Sequence, residues 1–479
     1  MTASFFFYDL ETSGINSRDA RIMQFAGQRT DMRLKPIGEP VNILIKLTPD
    51  VLPEPEAILL TGITPQQTIA DGITEAEFLK VFESDVATPN TIFVGFNSIR
   101  FDDEFMRFTR YRNFYDAYDW QWKDGRSRWD LLDLVRMTRA LRPEGIKWPF
   151  APDGKPTNQL GFLTKLNGLD HEHAHDALND VLASISLAKL IRDKQPKLFD
   201  FVLSMRDKKK VAELVNNGEP FVYTSGKYAA DHAKTAVVMK LADDISKQGA
   251  LVYDLHFDPD EFTNLSPKEL VAIWRWQKDP EAKKLPVKSL KYNRCPAIAP
   301  LTVMDKASQE RIHLDEKTWQ ANATKLANAK DFVGNLLEAQ TIMEKQRQTE
   351  FLSAVQDVDS QLYDGFFDDH DNNLERVVRA AEPNELSSFI DDFHDKRLKT
   401  LLPLYKARNY PSELSSEERA EWDAFCTQKL FTGGENSRLS RYFERLKVCA
   451  SLPQYKNKQF LLEELQLYGQ SIMPAELEQ

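Results

Sequence analysis

Short apolar runs broken by acids open the chain, and long amphipathic stretches dominate its end. Phe5 to Glu11 reads as a buried strand, and alternation along a strand puts Asp9 and Glu11 on the same side. Thr12-Ser13-Gly14 then predicts the turn that ends it. Thr91 to Phe96 predicts a second buried strand, Asn97 and Ser98 suit the following turn, and Phe101 to Arg110 can begin a helix. From Ala177 onward, Leu178, Val181, Leu182, Ile185, Leu187, Ala188 and Leu190 mark an amphipathic helix. His175 falls at its start and Asp180 about one turn in. Strand-like and helix-like patterns thus alternate to about residue 195, an α/β layer architecture. Pro196 follows the long helix and marks a boundary. The pattern is then shorter and strand-richer to about residue 350, with Phe221-Val222-Tyr223-Thr224 and Ala250-Leu251-Val252-Tyr253 as strands. Beyond that the chain reads as helical, with acidic stretches such as Phe367-Asp368-Asp369-His370-Asp371. Three domains are expected, over residues 1–195, 196–350 and 351–479.

Asp9, Glu11, Asp102 and Asp180 offer hard carboxylate oxygens for Mg²⁺ or Mn²⁺, and His175 offers an imidazole for proton transfer. Together these are the equipment of a two-metal phosphodiesterase. Taken singly, each element is weak. Asp-x-Glu suits an edge strand with two solvated acids as well as a metal site. Asp102, near a helix N-terminus, suits a cap or a favourable charge at the helix dipole, and Asp103 and Glu104 compete with it for the ligand role. His175 alone suits an exposed residue at a helix start. The cluster His171, His173 and His175 suggests zinc, but no cysteine lies nearby and zinc is discounted.

The three elements in this order resemble the exonuclease motifs of the DEDDh family. Asp9-Leu10-Glu11-Thr12-Ser13-Gly14 is similar to the first, Asn97-Ser98-Ile99-Arg100-Phe101-Asp102 to the second, and His175-Asp176-Ala177-Leu178-Asn179-Asp180 to the third. His175 places the chain in the histidine branch. Residues 126–133, 141–146, 361–367 and 407–411 resemble the bacterial exodeoxyribonuclease I family, so the likeness covers most of the chain. It implies a ribonuclease-H-like exonuclease domain, an SH3-like β-containing domain and a C-terminal α-helical domain. It also implies metal-dependent, processive 3′-to-5′ degradation of single-stranded DNA to 5′-mononucleotides, in repair and recombination. Asp9, Glu11 and Asp180 would hold one Mg²⁺, with Asp9 bridging to a second that Asp102 holds directly or through water. The ions would sit about 3.5–4 Å apart, with Mn²⁺ as a substitute. His175 would be the general base.

For the DNA path, residues 107–129 interleave Arg107, Arg110, Arg112, Lys123, Arg126 and Arg128 with aromatic residues, a pattern that holds phosphates and stacks bases without sequence choice. About half of these aromatics are expected in the core. Tyr118 and Trp122 sit among polar neighbours and are the favoured contacts, with Arg107, Arg136 and Arg142 as phosphate ligands and Glu11 touching substrate as well as metal. Lys208 belongs to a basic cluster with Arg206, Lys209 and Lys210; a second cluster runs from Lys283 to Arg294. Most such lysines are expected to form only a solvated face. The resemblance tilts Tyr363 and Phe366 toward stacking on DNA. Gln159 stands where related exonucleases carry an arginine, which retains hydrogen bonding but loses a charge.

Composition narrows the class. The 479 residues exceed one compact domain, and 42% hydrophobic content suffices for real cores. A net charge of -11 argues against a generally basic coat without excluding a local basic path. Three cysteines, no signal-peptide pattern and no long apolar span point to a soluble cytoplasmic protein with free thiols. The resemblance implies a monomer, with single-stranded DNA-binding protein as a partner whose acidic tail enters a basic groove between the last two segments. An RNA 3′ exonuclease and a non-catalytic single-strand-binding factor are the alternatives. Complete carboxylates argue against the second.

Overall fold

The computed structural model describes residues 2–169, 176–275, 278–279, 282–353 and 357–473. They fall into two compact units. One combines residues 1–127, 171–182 and 356–479; the other combines 128–170 and 183–355. The polypeptide therefore leaves the first unit and returns to it, so its N- and C-terminal segments share one body.

The first unit is built on strands β1 (Ser4–Thr12), β2 (Ile22–Thr30), β3 (Val41–Leu44) and β4 (Thr91–Gly95), in the order β3-β2-β1-β4. Ser127 opens a further strand, β5 (Ser127–Asp130). β1 runs antiparallel to β2, with Asp9 opposite Ala26 and Glu11 opposite Gln24. It runs parallel to β4, with Phe5 opposite Ile92 and Phe7 opposite Val94. Along β1 every residue is buried except Asp9 and Glu11, which alternate with buried Leu10. This is the expected two-residue period with a polar exception at the strand's end. Phe6, Tyr8, Phe25, Phe78, Phe82, Phe93 and Trp120 pack into one aromatic-rich core against this sheet. The Phe93 and Trp120 rings meet edge-on at 4.9 Å. A Cβ on Gly95 would stand 2.4 Å from that of Ser98, so only glycine lets the chain turn tightly out of β4.

The C-terminal part of this unit is helical, as expected. Its helices include Asp369–Ala380, Lys396–Asn409, Ser416–Phe431, Arg438–Ser451 and Gln459–Ser471. Phe108, Tyr111 and Phe114 of the helix Asp102–Arg112 and its end share a core with Leu398, Leu401, Leu402 and Tyr405. An ionic knot lies beside it. Arg408 donates to Asp50 and to Asp359 at 2.8 Å each, Arg21 reaches Asp359 at 2.6 Å, and Lys429 reaches Asp50 at 2.8 Å. All five side chains are buried. Pairing and hydrogen bonding satisfy charges that burial would otherwise penalise heavily.

In the second unit, β6 (Phe221–Thr224), β7 (Thr235–Asp243), β8 (Gly249–Asp254), β9 (Val287–Lys291) and β10 (Ala297–Pro300) form an antiparallel sheet in the order β10-β6-β7-β8-β9. The expected strands at 221–224 and 250–253 are both there. The end of this segment differs from the strand-rich expectation. Residues Lys306–Ile312, Glu316–Asn328 and Lys330–Ser353 are helices. Phe332, Leu336 and Ala339 recur at helical spacing and are buried, the period that decides the matter.

Candidate active site

Three of the four acids singled out in the sequence converge at the end of β1. One carboxylate oxygen each from Asp9, Glu11 and Asp180 lies within 4.8 Å of the others. Asp9 and Glu11 arrive together because they share a strand face. Asp180 arrives on the helix Ala177–Lys194, in its first turn.

Asp102 is the first residue of the helix Asp102–Arg112 and is buried. β4 pairs with β1 only as far as Phe7, so beyond that point the β1 edge is open. Asp102 fills the gap, its Oδ1 accepting the Leu10 backbone N–H at 3.1 Å. This fixes its carboxylate at the peptide between Asp9 and Glu11. Its two acidic neighbours make other contacts. Asp103 turns into the core and accepts the Tyr8 hydroxyl at 2.6 Å, while Glu104 accepts from Arg107 at 2.5 Å. His175 lies outside the described residues, as do His171 and His173.

The electrostatics of the convergence fit a cation. Burial, and then the negative charge of Asp180, raise the Asp9 pKa well above the ordinary carboxylate range. Burial, followed by the charges of Asp9, Asp180 and Asp176, pushes Glu11 up to about 9. Carboxylates held this close retain protons unless a cation sits among them. The donor set is all hard oxygen, the chemistry that suits Mg²⁺ or Mn²⁺. A metal therefore fits the residues present.

Two positioning side chains escaped the sequence reading. Gln24 on β2, opposite Glu11, donates to Asp176 Oδ1 at 3.3 Å and accepts the Ala177 N–H at 3.4 Å. Asp176 in turn accepts the Leu178 N–H at 3.2 Å, capping the helix that carries Asp180. The available signal was a glutamine inside the apolar run Ile22-Met23-Gln24-Phe25, which has to find partners when buried.

The cationic stretch after Asp102 is largely internal. Arg107 is buried, donating to Glu104 and to Gln121 at 3.0 Å, with its guanidinium 5.3 Å from the Tyr118 ring centre. Arg110 pairs with Glu83 and Asp119, and Arg112 with Glu75. Tyr111, Phe114, Trp120 and Trp129 are core residues. Trp122 is 64% exposed, and Tyr118 is half-buried. Tyr363 is partly exposed and its hydroxyl donates to Glu104; Phe366 is 95% exposed. Tyr118, Tyr363, Phe366 and Phe367 are among the residues lining a cavity of about 190 Å³. Glu375 lies at its wall, its carboxyl pushed up to about 8 by burial despite Arg379.

In the second unit, Arg136 donates to Asp133 at 2.6 Å. Arg142 reaches the Val303 carbonyl at 2.8 Å and Asp305 at 3.2 Å. Gln159 is exposed at the N-cap of the helix Leu160–Leu166, and its side chain makes no cap hydrogen bond. Lys208 is exposed at the start of the helix Lys208–Val215. Arg136 and Arg142, expected as phosphate ligands, are thus paired with carboxylates, whereas Gln159 and Lys208 are exposed.

The mixed sheet with its convergent acids is that of an exonuclease: residues 6–188 match the family model described as Exonuclease. Residues 206–340 match the Exonuclease I SH3-like domain and residues 356–472 the Exonuclease I C-terminal domain. Exodeoxyribonuclease I of Haemophilus influenzae is 39% identical over 434 residues, covering 89% of this chain and 90% of the relative. Exodeoxyribonuclease I of Escherichia coli is 36% identical, covering 98% of each chain. The crystal structure of E. coli exonuclease I with a dA16 oligonucleotide superposes with a TM-score of 0.92, at 36% identity, covering 98% of this chain and 100% of that one. Exonuclease I of Methylocaldum szegediense gives a TM-score of 0.90 at 39% identity, covering 99% and 100%. A structure described as SSB/exonuclease I with an inhibitor gives 0.88 at 35% identity, covering 99% and 100%. The chain belongs to the exodeoxyribonuclease I family.

Proposed function

We propose that this protein degrades single-stranded DNA from the 3′ end, processively and with divalent metal, releasing 5′-mononucleotides in DNA repair and recombination. The observation that carries this reading is the convergence of Asp9, Glu11 and Asp180, with Asp102 pinned beside them. The likeness over the whole chain to a protein crystallised with an oligonucleotide supports DNA as the substrate.

Asp9, Glu11, Asp180 and Asp102 would hold two ions, Mg²⁺ with Mn²⁺ as a substitute. When bound, these supply a polarised water and neutralise charge at the departing 3′ oxygen. Asp102 keeps the peptide between the two β1 acids in place. Gln24 and Asp176 hold the helix start that presents Asp180. His175 takes the proton of the attacking water, for which its ordinary near-neutral pKa suits it. Glu11, beside the reacting phosphate, touches substrate as well.

Phe366, Trp122, Tyr363 and Tyr118 offer faces for stacking bases, with Arg107 acting from behind Tyr118. Gln159 and Lys208, both exposed, meet the strand directly. Arg136 and Arg142 would exchange Asp133 and Asp305 for phosphate. The work divides among domains 1–195, 196–350 and 351–479, a division that the three matched spans support. The protein would act as a cytoplasmic monomer. Its partner would be single-stranded DNA-binding protein, a reading that the structure described as SSB/exonuclease I supports. No helix among the described residues is long and apolar enough to cross a membrane.

The test is a 5′-labelled single-stranded DNA beside its RNA and duplex counterparts, with Mg²⁺ or EDTA and an Asp9→Ala control. Metal-dependent shortening of the single-stranded DNA alone, absent in the control, is expected. Shortening of RNA alone would make the protein a ribonuclease, and binding without shortening would make it a binding factor.

A further inference from the structure

A second group of metal-ligating side chains lies where the helix Asp369–Ala380 begins. Asp368 caps that helix, accepting the Asp371 N–H at 2.9 Å. Asp371 is 1% exposed, and its two oxygens accept the N–H groups of His394 and Asp395 at 2.8 and 2.9 Å. The turn before the helix Lys396–Asn409 is thereby laced to the start of the helix Asp369–Ala380. His394 Nδ1 donates to Asp368 at 2.8 Å. One ligand atom each from Asp368, Asp371 and His394 lies within 4.8 Å of the others.

A second histidine faces this group. The His370 and His394 rings stack with centroids 4.3 Å apart and planes 17° apart. His370 Nε2 donates to the Asp392 carbonyl at 3.0 Å, which fixes the ring. Neither carboxylate has a lysine or arginine partner among the described residues. The nearby cations are engaged elsewhere: Arg397 donates to Asp395 at 2.8 Å, and Lys399 to the Asp391 carbonyl at 3.2 Å. Asp364, Asp369, Asp391 and Asp392 add negative charge to the same stretch.

We propose that Asp368, Asp371 and His394 form a structural Zn²⁺ site, separate from the catalytic centre, with water in the fourth position. The ion takes the place of the proton now shared between His394 Nδ1 and Asp368. Ligand atoms around tetrahedral zinc stand about 3.3 Å apart, so His394 Nδ1 and Asp368, now 2.8 Å apart, would open slightly, and these two exposed side chains would close on buried Asp371. An imidazole among two carboxylates selects Zn²⁺ over Mg²⁺, whereas the all-carboxylate catalytic centre favours Mg²⁺ or Mn²⁺. The stack on His370, a ring fixed by the Asp392 carbonyl, restrains the orientation of the ligand ring. The bound ion would staple the segment that follows Phe366 to the next helix.

The test uses the full chain with Asp9→Ala and Asp180→Ala, which removes catalytic-site binding. Zn²⁺ is titrated by calorimetry in excess Mg²⁺, with and without His394→Ala or His394→Gln. The glutamine variant keeps a donor toward Asp368 and guards against a folding defect. The expected result is Zn²⁺ binding of the parent with one more equivalent than either variant, or with at least tenfold higher affinity. A Zn²⁺-dependent rise in melting temperature should be lost in both variants, while their metal-free melts match the parent. Zn²⁺ binding that is equal with and without His394, or no Zn²⁺ binding by the parent, would overturn the inference.

Discussion

Asp9→Asn should stabilise the metal-free protein while destroying its activity. The native carboxylates at the end of β1 carry raised pKa values, Glu11 moving from 4.5 to about 9 through burial and then through the charges of Asp9 and Asp180. A folded-state pKa above the unfolded one means that the native state keeps a proton the unfolded state has lost. Stability therefore falls as pH rises from 4.5 toward 9. At pH 8 the whole Glu11 shift corresponds to an upper bound of about 5 kcal/mol, at about 1.4 kcal/mol per pH unit above 4.5. Asp9 supplies part of that shift and carries a penalty of its own, so removing its charge should recover about 2 kcal/mol or more. That is a rise in melting temperature of roughly 4 °C or more. The assay is a thermal melt of both proteins in EDTA from pH 5 to pH 8. The advantage of the variant should grow with pH and shrink as pH falls toward the ordinary Asp9 value of 3.8. Added Mg²⁺ should reverse the order at pH 8, because only the parent gains binding energy. A variant less stable than the parent in EDTA at pH 8, or a gap that ignores pH, would refute the claim that these acids repel one another.

Four other outcomes follow from the same contacts. Burial alone would raise the Asp359 pKa, but Arg408, Arg21 and Lys429 hold it well below the carboxylate range. Asp359→Asn leaves these cations underpaired and should cost about 3–5 kcal/mol, read by urea unfolding. Phe366→Ala removes a side chain that is 95% exposed, so stability should hold while affinity for oligo-dT in a filter-binding assay drops by about 1–3 kcal/mol. Gln24→Ala frees Asp176 and Ala177, and should weaken metal affinity by roughly tenfold, measured as the Mg²⁺ concentration for half-maximal cleavage. Burial lowers the His256 pKa, but its hydrogen bond to Asp254 raises it above 6.5 on balance. The stabilisation it provides is complete below 6.5 and fades as pH rises through the folded value, so the melting-temperature gap between parent and His256→Gln should narrow from pH 6 to pH 9.

The catalytic strand was legible because its physics is local. Asp9 and Glu11 share a face for the simple reason that a strand has a period of two, and Asp180 falls in the first turn of a helix announced by its apolar spacing. The strands at 221–224 and 250–253 were legible for the same reason. Residues 306–353 were less so, because their helical period is diluted by polar residues and emerges only at Phe332, Leu336 and Ala339.

Charge was the weaker guide. Arg107, Arg110 and Arg112 look like a phosphate-binding row, yet they are buried against Glu104, Glu83, Asp119 and Glu75. A sequence records that a guanidinium is present but not whether a carboxylate from another element meets it. The different contacts of Asp102 and Asp103 are of the same kind. They depend on where the register with β4 stops, at Phe7, beyond which the Leu10 N–H donates to Asp102. By itself, then, the sequence determined which residues repeat at strand or helix period, which acids share a face, and the family resemblance those motifs carry. The tertiary structure alone decided which charges are paired, which aromatics are core and which partner each buried carboxylate meets. Those outcomes depend on partners far apart in the chain, and only packing brings such partners within hydrogen-bond reach.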